Sequence, residues 1–344
     1  MTSSPSNPPH TPESGGRLRA YWQFLVAVIY FFLARSLAHR AAFGFATEGW
    51  FPLVEQAILV FLLLLGYAAI GFWLNRQVHP ITTQGLPRRH DWSGEVGLGL
   101  ATGWGLAVVS VLLIAVGGGI AVSISTYASA WIWLMIEAAF FALATLAEEI
   151  AFRGYGFQRF AVAVGPLGAS LGYAAFYAIL QSMLPGSSRA SVMVSVALGL
   201  VLSAAYLRTK ALWLSWGLNF GWKASRALLF GLTISGVNSH SPVVQGNPMG
   251  PFWLTGGGFG LEGSWITFFL LIAALPVVFR ITRDLDYHYN APVIIPGGIP
   301  VDLDAAARAQ HQAATKDAEP TPPALVHIGP ATTPPPPSRP SDSH

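Results

Sequence analysis

The chain contains no cysteine and very few charged residues. Only 10% of its 344 residues are Asp, Glu, Lys or Arg, whereas soluble domains average about 25%. The absence of cysteine excludes disulfides, thiolate catalysis and cysteine ligands for a metal. The low charge and the 53% content of hydrophobic residues are typical of membrane proteins rather than soluble domains.

Basic residues exceed acidic ones slightly, and the formal net charge is +3. The basic residues are scattered along the chain and form no dense block. Scattered arginines favour a role in membrane topology over nucleic-acid binding, which needs a clustered basic surface. We therefore expect the lipid bilayer, and no nucleic acid, among the partners.

Long apolar segments alternate with short polar connections. A helix needs about 20 mainly apolar residues to cross the hydrocarbon core of a bilayer, and most of these segments reach that length. The sequence predicts an all-α, polytopic transmembrane helix bundle with about eight spans. The predicted spans are 20–38, 51–74, 96–122, 131–150, 162–182, 190–207, 211–232 and 264–281.

Polar, proline-rich composition sets off both ends of the chain. Residues 1–16 and residues 290–344 cannot pack a core, so we predict disordered tails on either side of a membrane domain at 17–289. Within that domain, residues 233–263 are predicted to form a long, glycine-rich loop. Ser264 is a good N-cap for the helix that follows this loop.

Three charged residues end the apolar run that begins near Trp131. Glu149 and Arg153 are four residues apart, so they share a helix face and can pair, whereas Glu148 points about 100° away. Charge inside a membrane is costly and usually functional, and a carboxyl in an apolar site suits a general base. The alternative is that the helix has reached the interface and the three charges are a solvated helix end.

Two further stretches accompany this motif. Asn219 and Lys223 lie inside the predicted span 211–232, and the sequence 176–181 (Phe-Tyr-Ala-Ile-Leu-Gln) lies inside the span 162–182. Together with Glu-Glu-x-x-x-Arg, they make residues from about 50 to 282 resemble the CPBP family of intramembrane endopeptidases, which includes the CAAX prenyl proteases. The resemblance implies a CPBP fold and hydrolysis of peptide bonds in a membrane-associated peptide or protein.

The resemblance also implies roles for individual residues. Glu148 is the expected general base that activates water, with Glu149 and Arg153 supporting it. Asn219 is the expected donor to the oxyanion, and Gln181 and Lys223 are further residues of the predicted site. The family places a His at each of two positions where this chain has Leu180 and Asn219.

Loss of both histidines changes the expected chemistry. A zinc site takes three or four ligands from His, Cys or carboxylate side chains, and this chain offers Glu148, Glu149 and weakly binding amides. We therefore expect no cofactor and no zinc. Lys223 raises a second hypothesis, in which a structural Glu148–Lys223 ion pair has replaced the catalytic site. Three functions follow: an endopeptidase, a catalytically impaired binding or chaperone protein on the same scaffold, or a small-solute transporter.

The distribution of basic residues predicts the orientation of the chain. With the N-terminus inside, the cytoplasmic group contains Arg17, Arg19, Arg76, Arg88, Arg89, Arg153, Arg159, Arg208, Lys210, Arg280 and Arg283. The opposite group contains Arg35, Arg40, Arg189 and Arg226. Because cytoplasmic loops carry the excess of Lys and Arg, both termini are predicted to be cytoplasmic, in the plasma (inner) membrane.

Topology reporters test this orientation. Fusions of a reporter that is active only in the cytoplasm should give a full signal at either tail, because the arginine bias favours that side. A reporter that is active only outside, fused at the same positions, is the matched control. An external signal from either tail contradicts the predicted orientation.

Overall fold

The computed structural model describes residues 14–76, 80–87, 89–237, 241–285 and residue 311. Residues 1–13 of the predicted N-terminal tail and nearly all of the predicted C-terminal tail lie outside these described residues. The first helix begins at Ser14, so the last three residues of the predicted tail 1–16 are helical. Contacts divide the chain into one unit over Met1–Asn290 and another over Ala291–His344, and the helices and strands below belong to the first.

Helices dominate the described part of the chain. They are α1 (Ser14–Phe45), α2 (Phe51–Asn75), α3 (Pro80–Thr83), α4 (Trp92–Gly117), α5 (Ala128–Arg153), α6 (Tyr155–Val164), α7 (Pro166–Ser182), α8 (Arg189–Thr209), α9 (Leu212–Ala224), α10 (Phe252–Thr255) and α11 (Trp265–Ile281). Two strands, β1 (Ile120–Ile124) and β2 (Val244–Pro248), form a small antiparallel sheet. A π-helical turn, Ser225–Leu229, continues α9.

Five helical segments in the described residues are long and apolar enough to cross a membrane, namely α1, α2, α4, α5 taken together with α6, and α8. The other predicted spans correspond to shorter helices, of 17 residues in α7 and α11 and 13 residues in α9. The predicted all-α polytopic bundle is confirmed, and the number of eight spans stays a prediction.

Glycine and proline explain where the helices depart from the predicted spans. The span 96–122 was drawn too long, because α4 ends at Gly117 and β1 begins at Ile120. A Cβ at Gly118 would lie 2.0 Å from the Met249 carbonyl oxygen, and Gly119 has a φ of +108°. The span 162–182 is interrupted at Gly165, with a φ of +85°, and Pro166 opens α7.

The predicted loop 233–263 is more structured than expected. It contains β2, α10 and two short 3₁₀ helices, Gly257–Phe259 and Leu261–Gly263. Ser264 caps α11 as predicted, since its hydroxyl accepts a hydrogen bond from the Ile266 amide at 3.2 Å. Pairing of β2 with β1 ties this segment to the end of α4.

Helices α4 and α9 pack with almost no side chain between their backbones. A Cβ at Gly103 would lie 2.1 Å from the Leu218 carbonyl oxygen, and a Cβ at Gly217 would lie 2.4 Å from the Val96 carbonyl oxygen. Small residues of this kind allow close helix contacts in membranes, where no hydrophobic effect drives association. This contact fixes how far α9 reaches into the bundle.

Large apolar side chains remain exposed on the outside of the bundle. Examples are Trp22, Ile29, Phe61, Phe72, Leu112, Ile132, Met135 and Phe269. They belong to α1, α2, α4, α5 and α11, so the apolar surface extends around the bundle. A surface of this extent is unsuited to water and suited to lipid chains. The chain is an integral membrane protein.

The α4–α9 contact makes a testable prediction about glycine. Gly103→Ala should lower the free energy of unfolding by about 1–3 kcal/mol, because the new methyl group overlaps the α9 backbone. Gly105→Ala is the matched control on the same helix, since nothing lies within 4 Å of its Cβ position. Alanine favours a helix over glycine by about 1 kcal/mol, so the control should be neutral or stabilising in thermal unfolding in detergent. Equal effects of the two changes contradict the proposed close packing.

Candidate active site

Helix α5 places the Glu-Glu-x-x-x-Arg motif in the interior of the bundle. Its sequence is rich in Ala and Leu, which favour a helix. The helix ends just before Gly154, where a side chain would overlap the preceding turn, because a Cβ there would lie 2.3 Å from the Ile150 carbonyl oxygen. Glu149 is fully buried, and Arg153 donates from Nη1 to Glu149 Oε1 at 3.1 Å. Arg153 also donates from Nη2 to the Gly199 carbonyl oxygen of α8 at 3.3 Å. The interpretation of these two residues as a solvated helix end is therefore wrong.

Glu148 points away from Glu149 and meets Lys223 of α9. The Lys223 ammonium donates to both carboxylate oxygens of Glu148, at 2.6 and 2.7 Å. The Lys223 side chain is 8% exposed and that of Glu148 is 30% exposed. The ion pair considered from the sequence is present, and one edge of Glu148 still reaches open space.

Asn219 connects the two carboxylates. Its Nδ2 donates to Glu148 Oε2 and to Glu149 Oε1, both at 3.0 Å. Asn219 and Lys223 are one helical turn apart on α9, and they lie on the face opposite Gly217 and Gly221 because two residues turn a helix by about 200°. The close α4–α9 contact therefore directs the polar face of α9 against α5.

Gln181 and Leu180 lie at the other end of the site, on α7. Gln181 donates from Nε2 to the Ser235 hydroxyl at 3.3 Å and to the Tyr177 hydroxyl at 3.5 Å. Tyr177 in turn accepts a hydrogen bond from the Lys223 ammonium at 3.5 Å. Gln181 is thus linked to Glu148 through Tyr177 and Lys223, and Leu180 contributes an apolar side chain to the nearby cavity.

A second buried ion pair was missed from the sequence. Arg226 is fully buried, donates from Nη2 to Glu262 Oε1 at 2.9 Å, and lies 3.9 Å from the centre of the Trp222 ring. The other Glu262 oxygen accepts a hydrogen bond from the Ser235 hydroxyl. Two features of the sequence could have indicated this pair. Arg226 is the one arginine in the apolar span 211–232, and Glu262 is the one glutamate in the glycine-rich segment 233–263.

The buried arginines correct the count of basic residues by side. Arg153 was assigned to the cytoplasmic group and Arg226 to the opposite group, but both are buried in ion pairs. Neither residue therefore contributes a loop charge. Removing one residue from each group leaves the predicted excess on the cytoplasmic side.

The charges in this region balance. Three carboxylates and three cations form the pairs Glu148–Lys223, Glu149–Arg153 and Glu262–Arg226. An isolated charge in the membrane interior is costly, and pairing offsets much of that cost. These six side chains together therefore carry no net charge.

Glu148 lines a cavity of about 360 Å³ between α1, α2, α5 and α7. Most of the wall is apolar, and it includes Phe31, Phe140, Phe152 and Leu180. Ligand pockets generally have volumes of roughly 300–1,000 Å³ and mainly apolar walls with a few polar groups. This cavity has both properties, and it includes the partly exposed edge of Glu148.

The donor set does not fit a zinc ion. Among the described residues, no group of three or more His, Asp or Glu side chains is arranged to hold a metal. The Lys223 ammonium lies 2.6 Å from the carboxylate that would have to bind the metal, and two neighbouring cations repel each other. The sequence-based expectation about zinc stays a prediction, and no step below depends on a metal.

Comparison with known families agrees with this geometry. Residues 128–225 match the family model described as type II CAAX prenyl endopeptidase Rce1-like. The matched region runs from α5 to the end of α9, so it contains the Glu148 motif, Leu180, Asn219 and Lys223. No curated protein and no solved structure matches the chain significantly. By its motif, its helical bundle and this family match, the integral membrane protein is similar to the CPBP-type, CAAX endopeptidase-like family over residues 128–225.

Proposed function

We propose that this protein binds a membrane-associated peptide segment in the Glu148 cavity and does not hydrolyse it by the family's route. The observation that carries the proposal is the ion pair between Glu148 and Lys223, whose ammonium contacts both carboxylate oxygens at 2.6 and 2.7 Å. The protein is thus a binding member of an endopeptidase scaffold.

The ion pair opposes the chemistry expected of Glu148. A general base must accept a proton from water in the transition state. Protonation of Glu148 would break its ion pair and leave the Lys223 ammonium buried without a counter-ion, which is strongly unfavourable. Asn219 already donates to Glu148 and Glu149, so its amide is not free to stabilise an oxyanion.

The capacity to bind a peptide does not depend on that chemistry. The cavity walls offer aromatic and aliphatic side chains, and the exposed edge of Glu148 and the Gln181 amide offer polar contacts. The matched family model is described as a CAAX prenyl endopeptidase, which is an enzyme that acts on peptide bonds. The arginine bias supports cytoplasmic termini, and the proposal places the protein in the plasma (inner) membrane.

A second candidate function is peptide hydrolysis with Glu148 as the base. The observation in its favour is that the Glu148 side chain is 30% exposed and lines the cavity. Rotation of Lys223 toward Tyr177 would free Glu148 Oε1 to accept a proton from water. Asn219 would have to release its hydrogen bond to Glu148 to serve as an oxyanion donor. One such donor contributes roughly 100- to 1,000-fold in other hydrolases.

An activity assay separates the two candidates. Purified protein in lipid discs, with and without added zinc, should bind a quenched fluorescent hydrophobic peptide without cleaving it. Any residual signal should be equal in the wild type and in Glu148→Gln, because Glu148 does no chemistry. Turnover by the wild type that is abolished in Glu148→Gln overturns the first proposal in favour of the second.

Thermal unfolding tests the ion pair itself. Lys223→Met and Glu148→Gln should each lower the free energy of unfolding by about 3–5 kcal/mol, because each leaves one buried charge unpaired. The double variant should recover part of the loss. Lys210→Met, which removes an exposed lysine at the end of α8, is the control and should have little effect. Additive losses in the two single variants would show that the residues act independently and return Glu148 to the role of a working base.

A further inference from the structure

The sheet of β1 and β2 has outward-pointing backbone groups on both of its edges. In an antiparallel pair, residues that exchange hydrogen bonds alternate with residues whose N–H and C=O groups point away from the partner strand. The Ser125 amide donates to the Val243 carbonyl oxygen at 2.8 Å, and the Met249 amide donates to the Gly119 carbonyl oxygen at 2.9 Å. Odd-numbered residues of β1 therefore pair with β2, and the outward groups belong to Ile120, Val122 and Ile124.

The outer edge of β2 is protected at each outward position. The Val244 amide donates to the Ser241 hydroxyl at 2.9 Å, and the Gly246 amide donates to the Gly231 carbonyl oxygen at 3.0 Å. Pro248 has no amide hydrogen to donate. Proteins block the edges of their sheets in such ways because an unpaired edge accepts another strand. The β2 edge is therefore closed to a further strand.

The outer edge of β1 has none of these protections. Within the described part of the chain, no hydrogen bond reaches the outward backbone groups of Ile120, Val122 and Ile124. Every residue of β1 after Ile120 is exposed, and the strand contains no proline and no charged residue. An extended peptide presents N–H and C=O groups at the matching spacing, so this edge is complementary to an added strand.

One face of the sheet favours apolar residues in such a strand. The side chains of Ile120, Val122 and Ile124 share this face because side chains alternate along a strand. Val122 is 57% exposed and Ile124 is 67% exposed. Pairs of β-branched side chains stabilise neighbouring strands. We therefore expect β-branched residues at the positions of the added strand that lie beside them.

The other face favours neutral polar residues. Ser123, Gln245 and Asn247 share this face and line an open hollow of about 380 Å³. The side-chain amides of Gln245 and Asn247 have no hydrogen-bond partner among the residues that the structure describes. An amide both donates and accepts hydrogen bonds, and no charged residue lines the hollow. Hydroxyl and amide side chains of an added strand fit this face.

The position of the sheet in the bundle identifies the kind of occupant. Gln23 near the start of α1 donates to Asn75 at the end of α2 at 2.7 Å, and Asn75 donates to Tyr155, just after α5, at 2.9 Å. The start of α1 thus lies at the end of the bundle where α5 finishes, whereas β1 precedes the start of α5. In the predicted orientation both termini are cytoplasmic and the sheet is external. The occupant therefore comes from another protein rather than from a tail of this chain.

We propose that the open edge of β1 binds an extended segment of a partner protein on the external side of the membrane, as a third strand of the sheet. The segment alternates β-branched apolar residues with neutral polar residues, and it has no proline at the amides that face β1. This surface shares no residue with the wall of the Glu148 cavity. The proposal does not depend on binding or chemistry at Glu148.

Amide hydrogen exchange at single-residue resolution tests the open edge. The sample is the full chain in lipid discs, and the probe is a decapeptide of alternating valine and threonine between two lysines. Without the peptide, the amides of Ile120, Val122 and Ile124 should exchange faster than those of Ala121 and Ser123, which pair with β2. Saturating peptide should slow the three outward amides by roughly tenfold or more, because each gains a hydrogen bond.

Val122→Pro tests the same contact from the protein side. The change removes an outward amide hydrogen and spares the pairing of β1 with β2, so it should weaken peptide binding by roughly tenfold or more. Val122→Thr is the matched control, since it keeps both the amide and a β-branched side chain, and it should bind as the wild type does. The same peptide with proline at its two central residues, one on each edge, should not bind. Equal melting temperatures show that the variants are folded.

The remaining outcomes overturn the proposal in distinguishable ways. If saturating peptide does not slow exchange at the outward amides of the wild type, the edge binds no strand, whatever the stability of Val122→Pro. Binding that Val122→Pro leaves unchanged places the peptide elsewhere on the protein. Slow exchange at these amides without peptide, together with a dimer mass in light scattering, identifies a second copy as the occupant. The fluorescent peptide assay at Glu148 tests the proposed function separately from all three.

Discussion

Neutralisation of buried charge is the constraint on which the rest of the bundle depends. Glu149 is held by Arg153 within α5, Glu148 by Lys223 across to α9, and Glu262 by Arg226 across to the segment before α11. Two of these three pairs join different elements, so the charges hold the bundle together as well as balancing one another. Loss of any single member leaves an uncompensated charge in an apolar interior.

The geometry of α9 makes that neutralisation possible. Glycines at 99, 103, 217 and 221 bring the backbones of α4 and α9 into contact on one side of α9. Asn219 and Lys223 lie on the other side, where they meet both carboxylates of α5. In a membrane, close backbone packing replaces the hydrophobic drive that would join two helices in water. The polar site therefore depends on the glycine contact between α4 and α9, to which no polar side chain contributes.

The same arrangement underlies the proposal that this protein binds a peptide without hydrolysing it. The Glu148 carboxylate pairs with the Lys223 ammonium, and the cavity beside it has a volume of about 360 Å³, aromatic walls and Arg35 in its lining. Leu180 and Asn219 stand at the positions where the resemblance implies histidine, and neither side chain is a strong metal ligand. In the proposed function, the cavity recognises its ligand by apolar contact and by polar groups, without a chemical step at Glu148.

Much of this protein follows from the sequence. Low charge, apolar runs and the absence of cysteine predict a helical membrane bundle, and the spacing of Glu149 and Arg153 predicts their ion pair, because helical contacts are local. Other features depend on contacts distant in the chain. The partners of Lys223 and Arg226, the pairing of β1 with β2, the interruption at Gly165 and the cavity shared by Arg35 and Glu148 arise only when separate helices pack. Packing depends on which faces meet, and helical periodicity alone leaves that choice open.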